Sequence, residues 1–172
     1  MGKIALNKTE RITLYGVLTA LAMILSYVES QIPAFVAIPG VKIGLTNIVV
    51  VTALYVLGNK GALAINFVRI AAVALLFGNA MSFSFSLAGG MLSTIVMMLF
   101  KKTGKFSPTG VSVAGGLSHN LGQIIMAMVL LGTRAVFWYL PVLWISGIIS
   151  GLVIGIIGAL VIKRIPIGKN DF

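Results

Sequence analysis

Six apolar stretches follow one another along this chain, each close to the length that crosses a bilayer, and the connections between them are too short for a second domain. A hydrocarbon core takes roughly 20 apolar residues per helix, with a range of about 17–25. The stretches are Ile12–Ser30, Val41–Gly58, Gly61–Asn79, Met81–Phe100, Thr109–Gly132 and Phe137–Ile162. The last is long enough to tilt or to begin with an interfacial stretch. Composition removes the soluble alternative. Hydrophobic residues make up 59% of the 172 and charged residues only 9%, against roughly 25% charged in soluble domains. A soluble fold of this size has too much surface for its volume to hide that much apolar area, whereas lipid can cover it. The expected fold is all-α: a polytopic six-transmembrane-helix bundle, one domain over residues 1–172, in the cell membrane.

The net charge of +10 would suit nucleic-acid binding, but its placement does not. Lys3, Lys8, Arg11, Lys60, Lys101, Lys102, Lys105, Lys163, Arg164 and Lys169 fall at one set of span ends, and only Lys42 and Arg134 fall at the other. Ten against two is a positive-inside signal that puts both termini in the cytoplasm. No nucleic-acid partner is expected. The basic start and first apolar run resemble a signal peptide, yet no small-x-small cleavage site follows Ser26. Gln31–Gly40, with Pro33, Pro39 and Gly40 among apolar residues, reads as a structured outward lid. Gly58-Asn59-Lys60-Gly61 reads as a tight turn.

Arg69 is the sharpest single residue, because a charge near the middle of a span costs at least about 2.5–3.5 kcal/mol on insertion scales and must face the bundle or a wet cavity. Asn66, three residues earlier, shares its helix face. Together they could bind an anionic ligand, or the arginine could be satisfied internally by carbonyls or by Glu29. His119, Asn120 and Gln123 place polar groups on the fifth span, either toward a ligand or as helix–helix hydrogen bonds. His119 is the lone histidine, so a metal site is not expected. Toward the outer side lie Glu29, Lys42, Thr46 and Asn47. Lys42 and Thr46 are one helical turn apart, and Lys42 either touches ligand or snorkels to the interface. Ser82, Ser84 and Ser86 alternate with Phe83 and Phe85, as a non-helical start to the fourth span or as a helix whose serines bond back to its carbonyls.

Small residues recur every four positions at Gly16 and Ala20 and at Gly147, Gly151 and Gly155, which lets helices approach closely. Each stripe serves either packing within the chain or docking to another membrane protein. Gly44-Leu45-Thr46-Asn47 and Gly116-Leu117-Ser118-His119-Asn120 resemble one another on oppositely directed spans, an inverted repeat or a coincidence of common residues.

Several chemistries lack their residues. The chain has no cysteine and three acids, Glu10, Glu29 and Asp171, no two of them close in sequence. A Mg²⁺-diphosphate enzyme needs clustered carboxylates. No G-x-x-x-x-G-K-[ST] phosphate loop and no nucleophile elbow is present. The chain is not expected to be an enzyme.

Ile38-Pro39-Gly40-Val41-Lys42-Ile43-Gly44-Leu45-Thr46-Asn47, the central Arg69 and Ser118-His119-Asn120-Leu121-Gly122-Gln123 resemble the Gx transporter family, whose members are often labelled heptaprenyl diphosphate synthase component I. The resemblance covers nearly the whole chain. That family is similar to the substrate-binding S components of energy-coupling factor (ECF) vitamin transporters. Those are six-helix proteins that bind ligand on the outer side and dock through small residues of their first helix on an ATP-driven module. The resemblance implies a transmembrane coupling protein and ATPase subunits as partners, with Gly16 and Ala20 at the docking face. Glycine stands at the first of these positions, where alanine is usual. It also implies a vitamin-like ligand, and some relatives are associated with flavin supply.

The expected function is therefore membrane binding of a small anionic ligand, with no intrinsic cofactor. Arg69 and Lys42 would neutralise charge, and Thr46, Asn47, Asn66, His119, Asn120 and Gln123 would supply hydrogen bonds. A flavin (riboflavin, FMN or FAD) suits that pairing of positive groups with amides. The alternatives are a membrane partner in prenyl diphosphate synthesis and a stand-alone secondary transporter using Glu29 or His119 for protons.

Overall fold

The computed structural model describes residues 7–31 and 44–165. It contains six α-helices: α1 (Lys8–Gln31), α2 (Asn47–Val56), α3 (Gly58–Phe77), α4 (Ala80–Lys102), α5 (Pro108–Leu131) and α6 (Leu140–Arg164), with a 3-10 segment over Ala135–Tyr139 leading into α6. No strand occurs among the described residues. All but α2 are long and apolar enough to cross a membrane, α6 together with its 3-10 lead. Leu75, Val129 and Trp138 stand out from the bundle, as side chains facing lipid should. The protein is a multi-pass helical membrane bundle.

Local chemistry sets the helix ends. Asn7 and Glu10 form a reciprocal capping box at the start of α1, each side chain accepting the other's backbone N–H at 2.8 Å. Asn79 caps α4 by accepting the Ser82 N–H, and Ser107 caps α5 ahead of Pro108.

Two expectations need correction. The second span was expected over Val41–Gly58, but its helix is Asn47–Val56. Ten residues rise about 15 Å, half a hydrocarbon core. Gly44 at φ +88 opens a turn in which Asn47 N–H donates to the Gly44 carbonyl, so helix begins only after it. Residues 41–43 lie outside the described residues, as does most of the Gln31–Gly40 segment read as a lid. The turn expected at Gly58–Gly61 is shorter: Leu57 alone separates α2 from α3. Gly58 takes φ +77 to reverse the chain, leaving Asn59, Lys60 and Gly61 free to form the first turn of α3. Of the two readings of Ser82–Ser86 the helical one holds: the segment lies in α4, and the Ser84 hydroxyl donates to the Ala80 carbonyl at 2.9 Å. Phe85 is spent in a core with Ile124, Ala127 and Leu143.

Short α2 is the centre of the bundle. It touches all five other helices, which form an arc in the order α1, α3, α4, α5, α6, and no contact joins α1 to α6 among the described residues. Val49, Val50, Val51, Ala53 and Leu54 are essentially inaccessible. A helix shorter than the membrane leaves both ends inside or near protein, where its unpaired backbone groups need partners. At its C-terminal end Lys101 of α4 donates to the Leu54 carbonyl at 2.6 Å and lies over the Tyr55 ring, a cation where the helix dipole is negative.

The α5–α6 seam is built by omission of side chains. A Cβ on Gly116 would stand 2.5 Å from the Gly147 carbonyl oxygen, and one on Gly151 or Gly155 would stand 2.7 Å from the backbone of Val113 or Thr109. The Gly147–Gly155 stripe is thus packing within the chain. The Gly16–Ala20 stripe is not: both residues are exposed, and a Cβ on Gly16 would meet nothing within 4 Å.

Candidate functional site

A polar junction forms where α1, α2, α3 and α4 converge, and Arg69 is its hub. Arg69 lies about 16 Å along α3 from its start and about 12 Å from its end. It is 5% exposed, so the guanidinium faces protein rather than lipid. Its Nε donates to Asn66 Oδ1 at 2.9 Å and its Nη1 to Ser26 Oγ of α1 at 3.3 Å. Asn66 in turn donates from Nδ2 to the Gly90 carbonyl at 2.9 Å and to Thr94 Oγ1 at 2.8 Å, both on α4. Ser26 Oγ pairs with Thr46 Oγ1 at 2.9 Å, which ties α1 to the start of α2.

Glu29 completes the junction from one turn beyond Ser26 on α1. Its carboxylate accepts the backbone N–H groups of Gly44 and Leu45, the latter at 3.2 Å. An anion thus sits at the positive end of α2, as Lys101 sits at the negative end. A guanidinium carries five N–H donors in a planar fork suited to carboxylate and phosphate. Asn66 and Ser26 engage two of them, and their fixed directions orient the fork. Chemically, the arrangement offers a buried, oriented cation whose planar fork suits an anion. Among the described residues no three histidine or acidic side chains converge as a metal site would require.

The other candidate residues distribute around this hub. All seven that are described (Thr46, Asn47, Asn66, Arg69, His119, Asn120 and Gln123) are buried; Lys42 lies outside the described residues. Asn47 folds back beneath Gly44, where a Cβ would be 3.1 Å from its Nδ2. His119 and Gln123 face α4 at Gly89, and a Cβ there would be 3.2 Å from His119 Cε1 and 2.9 Å from Gln123 Cγ. A Cβ on the next residue, Gly90, would be 3.2 Å from Asn66 Nδ2 and 3.3 Å from Arg69 Nη2. The Gly89–Gly90 pair therefore lets polar groups of α3 and α5 close on the same turn of α4. Asn120 points elsewhere. Its Nδ2 donates to the Leu143 carbonyl of α6 at 2.5 Å, so it belongs to the α5–α6 seam. Ser118 bonds back to the Ala114 and Gly115 carbonyls of its own helix.

Sequence reasoning missed Ser26, Thr94 and the Gly89–Gly90 pair. The glycines carried a usable signal, since each costs roughly 1 kcal/mol against alanine in a helix and so implies a close approach. Ser26 and Thr94 carried none, because isolated hydroxyl residues in apolar helices commonly bond to their own backbone.

The family model described as heptaprenyl diphosphate synthase component I matches residues 18–161. No curated protein and no solved structure matches the chain. The family match begins within α1 and ends near the close of α6, taking in the polar junction, the central helix and the glycine seam, and the chain belongs to the heptaprenyl diphosphate synthase component I family.

Proposed function

We propose that this protein is the substrate-binding membrane subunit of an ATP-driven transporter of the energy-coupling factor type, and that its ligand is a small anionic, vitamin-like molecule such as a flavin. The observation that carries this reading is a buried arginine held by Asn66 and Ser26 at the meeting point of four helices. Fixed cations inside a membrane bundle mark ligand or ion sites. The exposed Gly16–Ala20 face supports the second half of the reading, since nothing in the described chain uses it. A coupling protein and ATPase subunits would dock there and supply the energy. Both termini face the cytoplasm in this reading, on the strength of the ten-to-two bias of basic residues.

Affinity purification from a membrane extract tests the class. An ATPase pair and a coupling protein should come down with the native chain and be lost with Gly16→Leu, whereas a chain that purifies alone yet transports in liposomes would be a stand-alone transporter. Orientation is open to a direct check because the chain has no cysteine. A maleimide reagent that cannot cross the membrane should label Thr133→Cys in intact cells and leave Lys60→Cys unlabelled; the reverse pattern would overturn the topology.

The family description favours a second reading, a component of prenyl diphosphate synthesis. Residue placement argues against a catalytic role in it. Glu10 and Glu29 lie at opposite ends of α1, about 28 Å apart, so they cannot share a Mg²⁺ ion. Sustained prenyl-diphosphate formation by the purified chain with Mg²⁺ alone would reverse this judgement.

A further inference from the structure

A groove of about 550 Å³ opens on the face shared by α4, α5 and α6 and has no residue in common with the Arg69 junction. Its floor is one face of α5, where Gly110, Ala114, Leu117 and Leu121 recur every three or four residues. Trp144 of α6 stands at one end, and Phe100 and Phe106, with ring centroids 4.7 Å apart, close the other. From Gly110 to Leu121 the groove runs about 16 Å, close to half of a ~30 Å hydrocarbon core. Its length is that of one leaflet.

The two ends differ in charge. Phe106 belongs to the connection between α4 and α5, where Lys102 and Lys105 are both exposed. Lys101 is turned away to the Leu54 carbonyl. None of the chain's three acids lies in this connection, so the charges it carries are all cationic. The interior offers almost no polar surface; Ser118, its one hydroxyl, is already bonded to its own helix. A water-soluble ligand would find no partners inside. A second copy of this chain would set its own basic loops against these lysines.

We propose that the groove holds an acyl chain of an anionic phospholipid, with the phosphate between Lys102 and Lys105. The apolar floor takes the chain, the leaflet-long reach fixes its depth, and the lysines select the headgroup.

Trp144 is a built-in reporter. The chain has two tryptophans, and Trp138 is 81% exposed, so Trp138→Phe leaves Trp144 as the sole tryptophan, excited selectively over tyrosine, without disturbing packing. This variant is reconstituted in phosphatidylcholine vesicles containing small fractions of phosphatidylglycerol or phosphatidylcholine brominated near the chain end. Each lysine beside an anionic headgroup is worth about fivefold, so brominated phosphatidylglycerol should quench at a roughly tenfold or greater lower fraction. Lys102→Gln with Lys105→Gln should abolish that preference, while Lys60→Gln, exposed at the same end of the bundle, should leave it. Ala114→Phe should reduce quenching by both lipids. Gly110→Leu gives the same test with less strain, because the nearest atoms to its Cβ, on Phe106 and the Ser107 hydroxyl, would lie at ordinary contact distances of 3.6–3.7 Å. Equal quenching by the two lipids, a preference that survives the double glutamine variant, or quenching indifferent to both groove-filling variants would overturn the proposal. So would exclusion of both lipids by a co-purified membrane protein, which would then be the groove's occupant.

Discussion

The α5–α6 seam and the Arg69 junction solve one problem in opposite ways. Lipid is as apolar as a leucine side chain, so helices in a bilayer gain little from hiding apolar surface and must associate by close packing or by hydrogen bonds. The seam uses packing: Gly116, Gly147, Gly151 and Gly155 remove side chains until backbone lies on backbone. The junction uses hydrogen bonds: Ser26, Thr46, Asn66, Arg69, Gly90 and Thr94 link four helices through side chains. The seam leaves little room between its backbones and holds no charged side chain, which suits a scaffold. The junction holds a cation with more donors than its two side-chain partners accept. Architecture is carried by the first region; under the proposed function, recognition falls to the second.

This contrast predicts different costs for substitution. Gly151→Leu should be the most damaging to stability, because its Cβ would sit 2.7 Å from the Val113 Cα, which belongs to backbone and cannot yield. Overpacking of this kind costs about 3 kcal/mol, or roughly 6–12 °C in the melting temperature of detergent-purified protein. A melting point within a degree or two of the parent would mean the seam is looser than described. Thr94→Val keeps the shape and removes one of the two acceptors of Asn66. A single interhelical hydrogen bond is worth about 0.6–1.7 kcal/mol, so the melting point should drop by only a few degrees, with ligand affinity weakened several-fold through a less firmly held Arg69. If affinity were unchanged, Asn66 would be packing rather than positioning. Gly16→Leu should have the smallest effect on stability, within about 0.5 kcal/mol, since its Cβ meets nothing. Clear destabilisation would place the Gly16–Ala20 face inside the fold after all.

The sequence made the bundle legible because apolar length is a one-dimensional signal and five of the six runs are simple spans. It concealed that α2 is half a span. What stops that helix short of the full run is a three-dimensional event: Glu29, fifteen residues before Gly44, captures the backbone N–H groups of Gly44 and Leu45. Hydropathy averages over such a turn. Arg69 with Asn66 was readable as a pair from their spacing, and the structure joins them directly. Asn120 was grouped with His119 and Gln123, although consecutive helical residues point about 100° apart. That angle is enough to send Asn120 to α6 while its neighbours face α4. The stripes at Gly16 and at Gly147 look alike in sequence, and only the presence of a partner helix distinguishes them.

The most direct test of the account asks whether Arg69 reads the charge of a ligand. Binding of FMN and of riboflavin, which differ by a phosphate, is measured by thermal shift on purified parent, Arg69→Lys and Arg69→Met proteins. A ligand at a hundred times its Kd should add about 2.7 kcal/mol to stability. The account predicts that the parent binds the phosphorylated flavin more tightly. Arg69→Lys should keep part of that preference, and Arg69→Met should lose it by roughly 30-fold or more, as expected when one partner of a buried charge pair is removed. An Arg69→Met protein that is folded and binds FMN as tightly as the parent would contradict the account.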